Sequence, residues 1–429
     1  MEAKKIGFAS IFLLGINGII GSGIFLLPGK VYKDIGVASL IVILIASIMV
    51  FLIALCYAEL SSKFSENGAA WRYVYEAFGK FFGFEVGISV WFLAITSLSA
   101  ETAALMTTLQ GVFPQLKDPM TYNVVAVGFL CVLFLANMVG TNFVKILNNI
   151  SSVAKIAIIV FFIGVGIFFI KVDFLTPLLP STVTNSATLF SDFAKALGVI
   201  FYAFVGFSFL PVAAAKMDNP KKNVPLALIT VLLTSTALYI LITAVSIGLL
   251  GPQIANESLP AAVALQNIMG TVGYHIIIYG MIISIGGLTI SFSFNAPFIA
   301  SSLAEKGLFP KLLAKKNKKG IPYISSLITF GVAIILVLSG DFMFLISLSV
   351  FISFIQYVPS ILALIKLRKK PSTQNGFKVP GGYIIPILAL LSSAYLLTSF
   401  TMDIVLFGIG LLVIGAILYW IGNRNKLKQ

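Results

Sequence analysis

Gly15-Ile-Asn-Gly-Ile-Ile-Gly-Ser-Gly-Ile-Phe-Leu-Leu-Pro-Gly29 sits inside a long apolar run, yet it carries five glycines, an asparagine, a serine and a proline. A continuous membrane helix has no use for so many helix breakers. Backbone that leaves the helix at membrane depth is tolerated only where protein buries it or where it lines a water-filled cavity. Discontinuous helices of this kind hold substrate in many secondary transporters: half-helix N-termini face an anionic group and unwound carbonyls face a cation. The sequence therefore predicts a break at Gly21-Ser22-Gly23, with Pro28-Gly29 closing the outer half of the span, and a chain organised around that break.

The composition supplies the bilayer that this reading needs. Of 429 residues, 59% are hydrophobic and only 10% are charged, with a mean hydropathy of +1.04. Soluble domains carry about 25% charged residues. The expected fold class is thus an all-α polytopic membrane protein. With roughly 20 apolar residues per span, twelve spans are predicted, at about 6–30, 37–62, 81–109, 121–139, 146–171, 189–215, 224–250, 272–303, 322–340, 342–365, 382–401 and 403–423. Only two lysines precede the first apolar run and no small-residue cleavage pattern follows it, so it reads as a retained span rather than a signal peptide.

The net charge of +14 could suggest nucleic acid, but the basic residues fall on alternate loops. With the N-terminus inside, 23 of the 29 are cytoplasmic, including six lysines over 306–319 and five basic residues over 366–378. Lys30, Lys33, Lys117 and Lys171 lie outside, and Lys155 and Lys195 lie within spans. That bias predicts a multi-pass protein of the cell membrane with both termini cytoplasmic, in contact with lipid, and needs no nucleic-acid partner. Homodimer formation is compatible with the sequence and not required by it. Cys56 and Cys131 have no metal-ligand spacing and read as small core residues, so neither a metal nor a cofactor is expected.

Glu59, Glu66 and Glu76 stand near the membrane edge around a Gly68 turn and a short amphipathic helix, and read as solvated or paired surface carboxylates. The aromatics of that helix suit an interfacial belt or a gate. Glu85, near the inner end of span three, can also be solvated. Glu101, in Ser97-Leu-Ser-Ala-Glu-Thr102, lies well inside span three. An ionisable group there is costly and faces a cavity or a partner; it contacts a cationic substrate, accepts a proton, or belongs to a structural pair. Lys155 is two to three turns into span five. Its ammonium either stands where a coupling cation would, against carbonyls freed by the broken helix, or snorkels to the inner surface.

Span six repeats the theme of span one: Gly198-Val-Ile-Phe-Tyr-Ala-Phe-Val-Gly-Phe-Ser-Phe-Leu-Pro211 predicts a second break near Ala203 to Gly206. Two interrupted helices, each first in a run of five spans, fit an inverted repeat of about 1–171 and 189–366, followed by two accessory helices over about 382–423. The polar segment Asp218-Asn-Pro-Lys-Lys-Asn-Val-Pro225 is an inner loop, and Pro252 to Gln266 is an outer loop, helical in part, that can serve as a lid.

Gly21-Ser-Gly-Ile-Phe, Tyr57-Ala-Glu-Leu, the Gly68 to Gly79 segment, Phe201-Tyr-Ala-Phe-Val-Gly-Phe, Asp218-Asn-Pro-Lys-Lys-Asn-Val-Pro and Gly307-Leu-Phe-Pro310 occur in the order seen in the amino acid-polyamine-organocation superfamily. The chain resembles that superfamily from about residue 6 to 371. The resemblance implies the LeuT fold, with five plus five inverted spans, and alternating access around a central site. Similarity to its arginine/agmatine antiporter branch implies that the substrate carboxylate meets the amides near Ser22, Gly23 and Ile24. It implies that the α-amino group meets the carbonyls of Ile19, Tyr202 and Val205. Tyr202 and Phe292 would be gating aromatics, and Glu101 would face the substrate side chain. Lys155 coincides with the fifth-span lysine of sodium-independent members.

The chain departs from many relatives where an acid would follow Gly-Phe in span six, since that place is Ser208, and where Ala215 and Lys216 precede Asp218. Loss of the span-six acid favours neutral amino acids. The expected function is sodium-independent uptake or exchange of amino acids. A cationic amino acid or polyamine antiporter is one alternative, and a non-transporting sensor or partner-binding protein on the same fold is another. No enzyme is expected: His275 has no nucleophile beside it, and Gly21-Ser-Gly-Ile-Phe lacks the preceding strand of a hydrolase elbow or phosphate loop.

Overall fold

The computed structural model describes residues 7–64, 69–139, 141–180, 186–216, 219–369 and 377–426. Glu66, the Gly68 turn, Asp218, Lys370 and the terminal Lys4, Lys5 and Lys428 lie outside them. The described residues form helices and turns, with no strand. In chain order the helices are α1 Phe8–Ile19, α2 Gly23–Ile35, α3 Ser39–Lys63, α4 Ala69–Phe78, α5 Lys80–Leu109, α6 Pro119–Val139 and α7 Thr141–Gly166. They continue with α8 Ser186–Tyr202, α9 Pro220–Leu250, α10 Pro260–Glu305, α11 Tyr323–Ser339, α12 Phe342–Leu367, α13 Ile384–Leu397 and α14 Met402–Lys426. Among the described residues nine helical stretches are long and apolar enough to cross a membrane, and Phe8–Ile19, Tyr323–Ser339 and Ile384–Leu397 are shorter apolar helices. The chain is a multi-pass membrane protein.

The centre of the bundle is α5, which packs on α10, α12 and α11, while α10 also packs on α7 and α3 packs on α9. Of the apolar window of α5, 78% is buried, against 22% for α6 and for α14, which places those two at the periphery. Lipid is as apolar as leucine, so helices in a membrane associate through close packing of small residues rather than by burying hydrophobic surface. The buried face of α5 is accordingly rich in Gly83, Gly87, Ser89, Ala94, Ser97, Ser99, Ala100 and Thr102. Their hydroxyls cost little there because they donate to carbonyls one turn back, as in Thr102 to Leu98 at 2.8 Å and Ser99 to Ile95 at 3.0 Å.

The outer connection before α10 is helical, as its sequence predicts: Gly251–Asn256 forms a 3-10 turn, and α10 begins at Pro260 and bends at Gly270 (φ 66°). Three expectations for single residues are corrected. Glu59 is buried rather than at the surface: Arg368 Nε donates to its Oε1 at 2.9 Å, a second guanidinium nitrogen donates to Oε2, the Val379 amide donates at 2.9 Å, and Lys63 stands at 3.3 Å. Its partner lies 309 residues along the chain, so no local pattern could pair them. Glu85 is buried too, and neither carboxylate oxygen has a hydrogen-bond partner. Cys131 is exposed on the outward face of α6, whereas Cys56 is buried as expected. Glu76 pairs with Arg72 at 2.9 Å, and His275 is exposed.

Candidate functional site

Two interrupted helices meet in the middle of the bundle. The first ends at Ile19; Ile20 turns extended (ψ 104°), and α2 restarts at Gly23 with Ser22 as its N-cap. The Ser22 side chain makes no hydrogen bond to its own helix. The first amides of any helix lack an intrahelical acceptor and sit at the positive end of the dipole. Here the amide of Ser22 faces a carboxylate from another helix: it donates to Glu101 Oε2 at 3.2 Å, and the Ser22 hydroxyl donates to Oε1 at 3.0 Å. Only glycine fits beside that contact at position 21, where a Cβ would stand 2.6 Å from Glu101 Oε1.

The second interruption lies where the sequence places it. α8 ends at Tyr202, the Ala203 and Phe204 amides turn back to Ile200 and Phe201, and Val205–Lys216 continues as a 3-10 helix. Runs longer than three or four residues are uncommon for that geometry and mark hinges or strain. The two breaks touch: a Cβ at Gly206 would stand 1.8 Å from the Gly18 carbonyl oxygen.

Lys155 is fully buried on α7, and its ammonium donates to the carbonyl of Ile20, to Asn17 Oδ1 at 2.9 Å and to the Asn17 carbonyl at 3.3 Å. It does not snorkel. A cation therefore sits against the carbonyls that the α1 break leaves open. Glu101, also buried, accepts from the Tyr202 hydroxyl at 3.0 Å in addition to Ser22, so one carboxylate ties α5 to both interruptions.

Gly18, Ile19, Gly21, Gly23, Ser97, Glu101, Tyr202, Ala203, Val205, Gly206, Leu288 and Phe292 line a cavity of about 20 Å³, room for about one water. Of the residues singled out from the sequence, Ile19, Gly23, Glu101, Tyr202, Val205 and Phe292 line it. Ser22, Ile24, Lys155 and Ser208 are buried around it without lining it. Ser208 donates to the Val205 carbonyl at 3.3 Å and accepts from Gln356 at 3.3 Å, which fixes the second break rather than facing the cavity. Phe292 stacks edge-on against Phe209, with centroids 5.6 Å apart.

Sequence reasoning missed the tyrosines that hold the freed carbonyls. The Tyr239 hydroxyl on α9 lies 2.7 Å from the Ala203 carbonyl oxygen and 3.2 Å from that of Ile19, so one phenol reaches both breaks. Tyr357 on α12 donates to the Val205 carbonyl at 3.2 Å. A phenol in mid-span was the only available signal, and it is shared by every aromatic of a membrane belt. Among the described residues no group of His, Cys, Asp and Glu could hold a metal ion.

The family model for amino acid permeases matches residues 6–422. An uncharacterized transporter of Mycobacterium tuberculosis is 30% identical, over 92% of this chain and 87% of its own length. The branched-chain amino acid permease BcaP of Bacillus subtilis is 26% identical over 99% of this chain and 95% of its own. The methylthioribose transporter of the same organism is 26% identical over 90% and 86%. A family match over nearly the whole chain identifies the protein as a transporter and not an enzyme: it belongs to the amino acid permease family.

Proposed function

We propose that the protein moves neutral amino acids across the cell membrane by alternating access, without sodium, as an importer or exchanger. The observation that carries this reading is the meeting of two interrupted helices over one small cavity, with helix amides on one side and freed carbonyls on the other. A zwitterion matches that polarity: its carboxylate suits the amides near Ser22, Gly23 and Ile24, and its ammonium suits the carbonyls of Ile19, Tyr202 and Val205. Lys155 takes the place of a sodium ion, a role supported by its three contacts on Asn17 and Ile20. Tyr202 and Phe292 close over the substrate. The exchange of Ser208 for an acid and the name of the BcaP relative favour a neutral side chain.

In this mechanism the two inverted repeats, about 1–171 and 189–366, rock around the breaks, with 382–423 as accessory helices and both termini cytoplasmic. A cavity of about 20 Å³ is too small for an amino acid, so the substrate must widen it on binding. Uptake of radiolabelled neutral, cationic and aromatic amino acids and diamines into cells expressing the chain, with sodium or choline outside, tests the proposal. Saturable uptake of a neutral amino acid that survives choline replacement is expected. Uptake that requires sodium, or that is confined to diamines, would refute it.

A further inference from the structure

The amide of Ser22, at the N-terminus of α2, already has a carboxylate on it, and that carboxylate is the protein's own. Glu101 occupies the first of the amides that the proposed site offers to a substrate's carboxylate: the Ser22 amide, the Ser22 hydroxyl and the Tyr202 hydroxyl all point at it. Gly21 leaves the room that this seating requires. The remaining cavity admits about one water. A second carboxylate has no space beside Glu101 there, and two buried anions at one helix terminus repel.

From this we infer that Glu101 is a tethered stand-in for the substrate carboxylate, which an incoming amino acid must displace from Ser22. The inference rests on the transporter reading above and goes further, because it gives Glu101 a competitive role instead of contact with the substrate side chain. It also accounts for selection of a zwitterion. An amino acid brings its own ammonium with its carboxylate, so the net charge of the closed site is unchanged when Glu101 yields. A bare carboxylic acid adds an uncompensated anion, and a bare amine leaves Glu101 seated.

The test is equilibrium binding to the purified full-length protein in lipid nanodiscs. The probes are L-alanine and L-leucine, each beside its decarboxylated amine (ethylamine, 3-methylbutylamine) and its deaminated acid (propionate, 4-methylpentanoate). The readout is the ratio of amino acid affinity to matched amine affinity, which cancels any general attraction of Glu101 for the ammonium. Glu101→Ala empties the seat, and the ratio is expected to rise roughly tenfold, about the size of one charge-assisted hydrogen bond. The deaminated acids, excluded from the wild type, are expected to bind the variant. Glu101→Asp keeps the charge but withdraws it from Ser22 by one methylene, so the ratio rises here too; it also carries the test if the alanine variant fails to fold. A ratio unchanged or lowered in both variants overturns the inference while leaving the transporter reading intact. A rise in the alanine variant alone reports bulk charge rather than occupancy of the seat, and overturns it as well. Failure of wild type and variants to bind any amino acid overturns both readings together.

Discussion

Lys155 closes the α1 break from one side and Glu101 from the other, and each is legible in the sequence for the same reason: a charge deep in an apolar span is too costly to keep without a use. Their partners are not legible, because helical spacing places residues on a face but does not say which helix that face meets. Asn17, two residues before the Ile19 carbonyl, gives no sign of serving Lys155, and Tyr239 and Tyr357 look like ordinary span aromatics. Replacing Lys155 with alanine removes the ammonium that donates to the Ile20 carbonyl and to Asn17, at a cost of about 1–3 kcal/mol. The variant is expected to express and fold yet lose most uptake, as measured by transport normalised to folded protein; normal uptake would count against a coupling role. Tyr239→Phe removes only a hydroxyl, and is expected to lower stability by about 1 kcal/mol while slowing exchange more than several-fold. A thermal-shift assay paired with uptake rates checks both halves, and a loss of stability without any change in rate would make Tyr239 a structural brace only.

At the scale of elements, the two interruptions were the most readable feature of the chain. The glycines that produce them cannot be mistaken for good helix formers; the second break falls within the predicted residues, and the first lies one residue earlier than predicted, starting at Ile20. What the letters did not reveal is that the second half of span six continues as a 3-10 helix, or that Gly206 lies against Gly18. That contact depends on two helices far apart in sequence. A methyl group at 206 forces two backbones apart, so Gly206→Ala is expected to cost about 3 kcal/mol and to abolish uptake. Gly410→Ala on the peripheral α14 meets nothing within 4 Å, and as a better helix former it should leave stability unchanged or raise it by up to about 1 kcal/mol. Melting temperatures of the two variants in the same detergent compare them directly; equal effects would mean that the close approach of the breaks is not what the glycine protects.

For the molecule as a whole, the run of apolar segments is legible in the sequence, because a bilayer imposes one length on every span. Long-range clamps do not follow. Glu59 on α3 is tied to Arg368 just beyond α12 and to the Val379 amide, joining distant parts of the chain at one end of the bundle. Arg368→Ala leaves a buried carboxylate with only Lys63 and the Val379 amide and is expected to destabilise the protein by about 3 kcal/mol, with recovery in the Glu59→Gln, Arg368→Ala double variant as read by thermal unfolding; no recovery would show that the arginine acts through its other contacts. The proposed function makes movement of substrate the property to measure. Counterflow in proteoliposomes tests it most directly: vesicles loaded with an unlabelled neutral amino acid should concentrate the labelled one transiently from outside, with or without sodium. If no amino acid inside the vesicles accelerates entry of its labelled counterpart, the account of the broken helices as an amino acid carrier is contradicted.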